Sequence, residues 1–218
     1  MAYYRFDEDF DGFMEDFGEP FESIPVQQQV IYMYRNKLPK QLFNYWYGVG
    51  TGGFGEGLFW MTNPADYQEI LEYWLEGTLF ENRTDLSVIA RTAFGVLYVW
   101  AKNRGNIMKI YPMTNAINYF SKVDQNQLTD SEENQKMQYF WGFKKSKNED
   151  YEDINDKPLF ERAYKKFGRL HEDEMYGFSH SPTTGREETF DNLDKVKLGV
   201  YHDIAKQLGG VQIVTIEI

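Results

Sequence analysis

The residues in this chain that could do chemistry are few. Cysteine is absent, which excludes thiol nucleophiles, thiolate zinc sites and disulfides together. Three histidines are present, His171, His180 and His202. His171-Glu172-Asp173-Glu174 and His202-Asp203 set an imidazole beside carboxylates, but at no recognised metal-ligand spacing, and His202 is expected to face solvent. Ser179-His180-Ser181-Pro182 places hydroxyls next to an imidazole, without the strained Gly-x-Ser-x-Gly turn that exposes a nucleophile. Gly48-Val49-Gly50-Thr51-Gly52-Gly53 fits the Gly-x-Gly-x-x-Gly string of dinucleotide sites. There the glycines must follow a strand and open a helix whose N-terminus meets the pyrophosphate. Here an aromatic helix comes before and a strand after, so the stretch reads as a flexible connector. Paired carboxylates among 34 acidic residues would need a measured separation to mean anything. The expectation is no catalytic residue, no metal and no cofactor.

Charge points the same way. Thirty-four acidic residues face 23 basic ones, a net charge of -11. Such a surface repels phosphate backbones and anionic lipid, so neither nucleic acid nor a membrane is an expected direct partner. A basic protein would be drawn to it and would arrive faster; the same charge also serves solubility. Hydrophobic residues at 42% and aromatics at 17% supply the apolar area a folded core needs. No segment reaches the roughly 20 apolar residues of a membrane helix, and Met1-Ala2-Tyr3-Tyr4-Arg5 does not open a signal peptide. The expected location is the cytoplasm.

The elements that must position any site follow from periodicity. Phe6, Phe10, Phe13, Phe17 and Phe21 recur at helical spacing, with an acidic face between them and Gly18 and Pro20 as the stop. Val26, Val30, Tyr34 and Leu38 form a second apolar set ended by Pro39, and an aromatic helix spans 41–47. Leu58 to Met61 reads as a strand. Asn63-Pro64-Ala65-Asp66 opens a helix with a cap, a proline at its first position and an acid at its third. Runs at 87–94, 96–101 and 107–111 then alternate as an antiparallel meander. A helix from Thr129 or Asp130 to about Lys147 follows. The acidic run 148–156 is a linker, and Pro158 starts a further helix with Leu159, Phe160, Ala163, Tyr164 and Phe167 on one face. Residues 192–208 read as one helix carrying Leu193, Val196, Val200, Ile204, Ala205 and Leu208, and 211–218 as a closing strand. The fold class is α+β: an antiparallel sheet with packed helices, followed by a smaller, mainly helical C-terminal domain.

Two blocks carry a family likeness. Phe17-Gly18-Glu19-Pro20, Leu38-Pro39-Lys40-Gln41-Leu42, Tyr45-Trp46, Gly55-Glu56-Gly57-Leu58-Phe59-Trp60, Asn63-Pro64 and Tyr67 resemble the GAD-like domain, and 88–95 with Leu97-Tyr98-Val99-Trp100 resemble its continuation. Leu159-Phe160-Glu161-Arg162-Ala163, Phe167-Gly168-Arg169-Leu170, 173–178 and Leu193-Asp194-Lys195-Val196-Lys197 are similar to the C-terminal domain of type VI secretion DNase-immunity proteins. The resemblance implies a GAD-like domain over 6–120, a connecting helix and acidic linker over 121–156, and an immunity-type domain over 157–218. It implies a non-catalytic immunity protein that binds and neutralises a cognate toxin, a basic effector of nuclease type, by occlusion. The alternative is a regulatory or ligand-sensing GAD-like module without a toxin partner. Oligomeric state is left open.

Two sets of residues are candidates for the contact. Acidic groups from Asp7 to Glu22 or from Glu149 to Asp156, with Asp150, Glu152 and Asp153 foremost, could meet a basic toxin face. The glycine-rich stretch, with Tyr47, Phe54 and Glu56 near its ends, could present aromatics as anchors. Phe54 reads equally well as a cover over the core.

Overall fold

The computed structural model describes residues 6–179 and 187–217. An eight-stranded sheet runs through the molecule in the order β1 (Phe21–Ile24), β2 (Thr51–Phe54), β3 (Phe59–Met61), β4 (Leu86–Thr92), β5 (Leu97–Ala101), β6 (Gly105–Tyr111), β7 (Ala116–Phe120), β10 (Gln212–Ile216). Neighbours pair antiparallel except the last two, where β10 lies parallel to β7 with Gln212 opposite Ala116 and Ile216 opposite Phe120. The last strand therefore returns from the far end of the chain to cover the β7 edge, which would otherwise offer unpaired backbone groups. A separate hairpin joins β8 (Glu174–Phe178) to β9 (Leu193–Lys197).

Every residue of β4 and β5 is buried, so both faces of the sheet are covered. On one face lie α1 (Glu8–Phe17), α3 (Lys40–Val49) and α6 (Asp130–Gly142), packed on one another. Their core is aromatic. Phe13 stands edge-on to Phe54 at 5.0 Å, to Trp141 at 5.1 Å and to Phe59 at 6.0 Å, while Phe10 stacks on Tyr45 at 4.1 Å. Phe10, Phe13 and Phe17 of the stripe read from the sequence form this core, while Phe21 lies on β1 beyond the Gly18 stop. Asp7 closes α1 by accepting from the Phe10 amide, and its other oxygen takes the Tyr45 hydroxyl at 2.6 Å and the Gln41 amide at 2.7 Å. Thr129 and Glu132 form the reciprocal cap that opens α6.

The other face carries α4 (Gln68–Leu75), entered through a short 3-10 turn capped by Asn63, and α9 (Leu198–Gly209). Four short helices complete the set: α2 (Gln28–Tyr34), α5 (Ser121–Asp124), α7 (Ser146–Glu149) and α8 (Phe160–Phe167).

Three expectations change. The glycine-rich stretch is no flexible connector but a buried strand followed by a 3-10 turn over 55–57. Glycine is needed because β1 comes so close. A Cβ on Gly53 would sit 2.6 Å from the Phe21 ring, and one on Gly50 would sit 2.5 Å from the Ile24 carbonyl oxygen, where φ is also +72. Second, the stretch read as one helix from 192 divides into β9 and α9. Leu193 to Lys197 alternates, and its lysines find acids across the hairpin and beside it: Lys195 meets Glu174 at 3.2 Å and Lys197 meets Asp173 at 2.6 Å. Third, the 148–156 linker is folded: α7 runs into its start and Glu152 is bridged to Pro158.

Trp141 is fully buried against Phe10, Phe13 and Phe59. Trp141→Ala is expected to lower unfolding free energy by about 3–5 kcal/mol in urea titration, with Trp141→Phe costing much less.

Candidate functional site

The residues expected to touch a partner separate sharply. Tyr47 is 54% exposed on the outside of α3, and Glu152 is exposed. Phe54 is fully buried, packed on Phe10 and Phe13. It belongs to the core because it sits on β2, whose residues are all interior. Asp153 is interior too: its carboxylate accepts from the Asn155 amide at 2.9 Å, the Lys157 amide at 3.3 Å and Arg162 at 2.6 Å. The Arg162 bond holds that carboxyl below the usual range. Asp150 accepts from the Phe160 amide at 2.9 Å and so caps α8. The acidic run is thus largely a device for turning the chain.

Glu56 does a different job. It sits in left-handed backbone, φ 57, and its carboxylate bonds Arg169 and, at 3.1 Å, the Tyr164 hydroxyl. The Arg169 bond lowers its pKa. A strained residue of the turn between β2 and β3 is therefore clasped to the C-terminal region.

A stronger link lies deeper. Arg91, next to the end of β4, is completely buried and makes no ion pair among the described residues. Its guanidinium lies 4.3 Å over the Trp60 ring. Nε donates to the Tyr67 hydroxyl at 2.9 Å and Nη1 to the Thr92 carbonyl at 3.2 Å. Nη2 donates to the carbonyls of His171 at 3.3 Å and Glu172 at 2.8 Å. Burial pulls the Arg91 pKa down, and the Tyr67 oxygen opposes that. Neutral oxygens from both halves of the chain solvate one cation.

In front of Trp60 and Tyr67 opens a cavity of about 270 Å³. Its floor and walls are Thr51, Gly52, Trp60, Met61, Thr62 and Tyr67 from the first sheet and its 3-10 turn, with Ile70 from α4. Leu198 and Gly199 close it from α9, and Asn63, Asp66, Glu172 and Asp173 complete the lining. Asp66, Glu172 and Asp173 are exposed at the mouth. The interior is mostly apolar and the rim acidic, the arrangement of a site that accepts a side chain or a small molecule.

The histidines do not converge. His171 is exposed and pairs with Glu22 at 2.7 Å. His202 was expected at the surface and is fully buried instead, because α9 turns it onto α4, where Nδ1 accepts the Trp74 indole N–H at 2.8 Å. Burial drives its pKa down to about 3. His180 and the rest of the 179–182 string after Ser179 lie outside the described residues. Among the described residues no three His, Asp or Glu side chains are grouped to hold a metal ion. Lys144 is caged among Tyr98, Phe140 and Phe59 beside Glu149 at 3.5 Å, and burial lowers its pKa to about 8. No helix among the described residues is long and apolar enough to cross a membrane.

Sequence reading missed Arg91, the cavity and the Lys144 cage. Arg91 did leave a signal: it is the one charge inside the apolar run Val88-Ile89-Ala90-Arg91-Thr92-Ala93-Phe94. A strand buried on both faces tolerates such a residue only if the fold solvates it.

The chain matches known families in two stretches. Residues 8–114 match the GAD-like domain, and residues 134–209 match the C-terminal domain of the T6SS immunity protein Tdi1. The crystal structure of Atu4351 from Agrobacterium tumefaciens is similar in fold, with a TM-score of 0.83 at 20% identity, over 94% of this chain and 92% of that one. No curated protein matches.

Two outcomes test this geometry. Arg91→Met strips donors from Tyr67 and three main-chain carbonyls and is expected to cost roughly 2–5 kcal/mol in urea unfolding; Arg91→Lys should restore only part, since an ammonium lacks the planar fork. For His202, a folded pKa below the unfolded 6.5 means the unfolded state binds the extra proton first. Its contribution is full above pH 6.5 and is lost as pH falls towards about 3, on the order of 2 kcal/mol by pH 5. His202→Gln should flatten the acid limb of the stability profile in that window.

Proposed function

We propose that this chain, which joins a GAD-like domain to a Tdi1-type immunity C-terminal domain, is a non-catalytic immunity protein that binds a cognate type VI secretion toxin and blocks it by occlusion. The observation that carries this reading is the Tdi1-type stretch over 134–209, locked to the first sheet by Arg91. The toxin is proposed to be a nuclease. A nuclease must present basic groups to phosphate, and this chain carries a net charge of -11. Many of its carboxylates are exposed and, among the described residues, make no ion pair: Glu8, Asp11 and Glu15 on α1, and Asp66, Glu69 and Glu172 on the other side of the sheet. Such a surface competes with phosphate for the same basic residues and accelerates encounter. Tyr47 and Glu152, the expected contact residues that stay exposed, are proposed as peripheral contacts.

A second reading has one observation in its favour. The cavity at the junction could hold a small molecule, which would make the chain a ligand-sensing module.

The test is co-expression with the neighbouring effector gene, followed by a DNA-degradation assay. An equimolar amount of this chain is expected to stop plasmid degradation, with association roughly tenfold slower in high salt. A chain that neither co-purifies with the effector nor protects DNA, and whose melting temperature rises with a metabolite, would establish the second reading.

A further inference from the structure

α9 has an unusual division of its apolar residues. Its buried face is Leu198, Tyr201, His202 and Ala205. Val200, Ile204 and Leu208, four residues apart and so stacked along one side of the helix, are 58%, 49% and 50% exposed. The most regular apolar row of the helix looks away from the core, while a histidine occupies the core position. A contiguous exposed row of this kind marks a contact surface.

Three features adjoin it. The row begins one residue after Gly199, which with Leu198 and Ile70 closes the cavity between the two helices. α4 packs beside α9 through Trp74 and His202, and Lys206 bonds the Tyr73 carbonyl. The outer side of α4 and its lead-in turn carries Asp66, Glu69, Glu72 and Glu76, all exposed. Among the described residues only Glu76 of these has a cation, Lys206 at 3.4 Å, and Glu72 takes the Gln68 amide at 2.7 Å. Asp203 adds an exposed acid to α9. An apolar ridge, an apolar cavity at its end and an acidic border are the anatomy of a binding surface with a central anchor.

The geometry points to the α4–α9 face as the docking surface for a basic protein, one of whose bulky apolar side chains enters the cavity between Ile70 and Leu198 while its basic residues meet Asp66, Glu69 and Glu172. This rests on the immunity reading, with the effector as that partner. Charge complementarity selects the occupant: a second copy of this chain would bring the same acids against these, and like charges across an interface repel. The acids of α1 make a weaker candidate: they lie beside a shorter exposed pair, Tyr139 and Phe143, 37% and 76% exposed, at the end of α6.

Gly199 gives a clean test. It lines the cavity, lies in a helix and has nothing within 4 Å of where a Cβ would be. A Cβ there meets open space, so Gly199→Phe sets a ring at the edge of the cavity, and the melting temperature reports whether the fold accepts it. Val200→Asp/Ile204→Asp changes only exposed positions, and Phe143→Ser, at a residue 76% exposed beyond α6, is the control. Affinity for the purified effector encoded beside the gene is measured by calorimetry, with melting temperature alongside. Gly199→Phe and Val200→Asp/Ile204→Asp are each expected to weaken binding at least roughly tenfold, equivalent to about 1.4 kcal/mol, at unchanged melting temperature. Glu69→Lys/Glu72→Lys should slow association chiefly at low salt, and Phe143→Ser should bind as the parent does. A complex of normal affinity in both α9 variants would overturn this surface and leave the immunity reading standing. If the parent chain forms no complex, the immunity reading fails and the surface with it.

Discussion

A buried guanidinium holds the two halves of this chain in one arrangement. Arg91 stands in the central strand of an apolar sheet and makes no ion pair among the described residues. Removing such a charge from water is costly, and the cost is offset only where several oxygens point at it. Here they come from Tyr67, from Thr92 and from the main chain of His171 and Glu172. The last two belong to the Tdi1-type region, so the first sheet is fully satisfied only when the second region is docked. The Glu56 clasp to Arg169 and the return of β10 to the sheet edge act in the same sense. The GAD-like stretch and the immunity-type stretch are joined by a shared polar interior as well as by a linker.

The cavity is a consequence of that docking. Trp60 and Tyr67 are held from behind by Arg91, which fixes the floor, and α9 supplies the facing wall. Neither half makes the site alone. The same packing decides which part of α9 stays outside. Because His202 is drawn inward to accept the Trp74 N–H, Val200, Ile204 and Leu208 are left at the surface beside the acidic side of α4. A polar hydrogen bond inside the protein thereby places an apolar row outside it.

The parts that could be read from residue order are those governed by local periodicity. The phenylalanine stripe of α1, the Asn63 cap, the β4–β6 meander and the closing strand all appear where spacing and capping place them. The two family likenesses also hold, because their aromatics, glycines and prolines certify a fold. Of the readings that failed, the glycine stretch did so for a non-local reason and the acidic run for one that its charge concealed. Gly48 to Gly57 looked mobile since glycine permits many backbone angles, yet here it admits the Phe21 ring and the Ile24 carbonyl at close range. Asp150 and Asp153 looked like free charge, yet they cap α8 and hold the turn before it.

The sequence by itself determined the class of fold, the phenylalanine helix, the β4–β6 meander and the acidic balance, since each depends on composition or on spacings of a few residues. Only the tertiary structure decided where Phe54, Asp153 and His202 belong, that Arg91 is solvated from across the chain, and that a cavity opens between α4 and α9. The Arg91 and His202 contacts join residues 80 and more apart, and no local pattern encodes a meeting of that range.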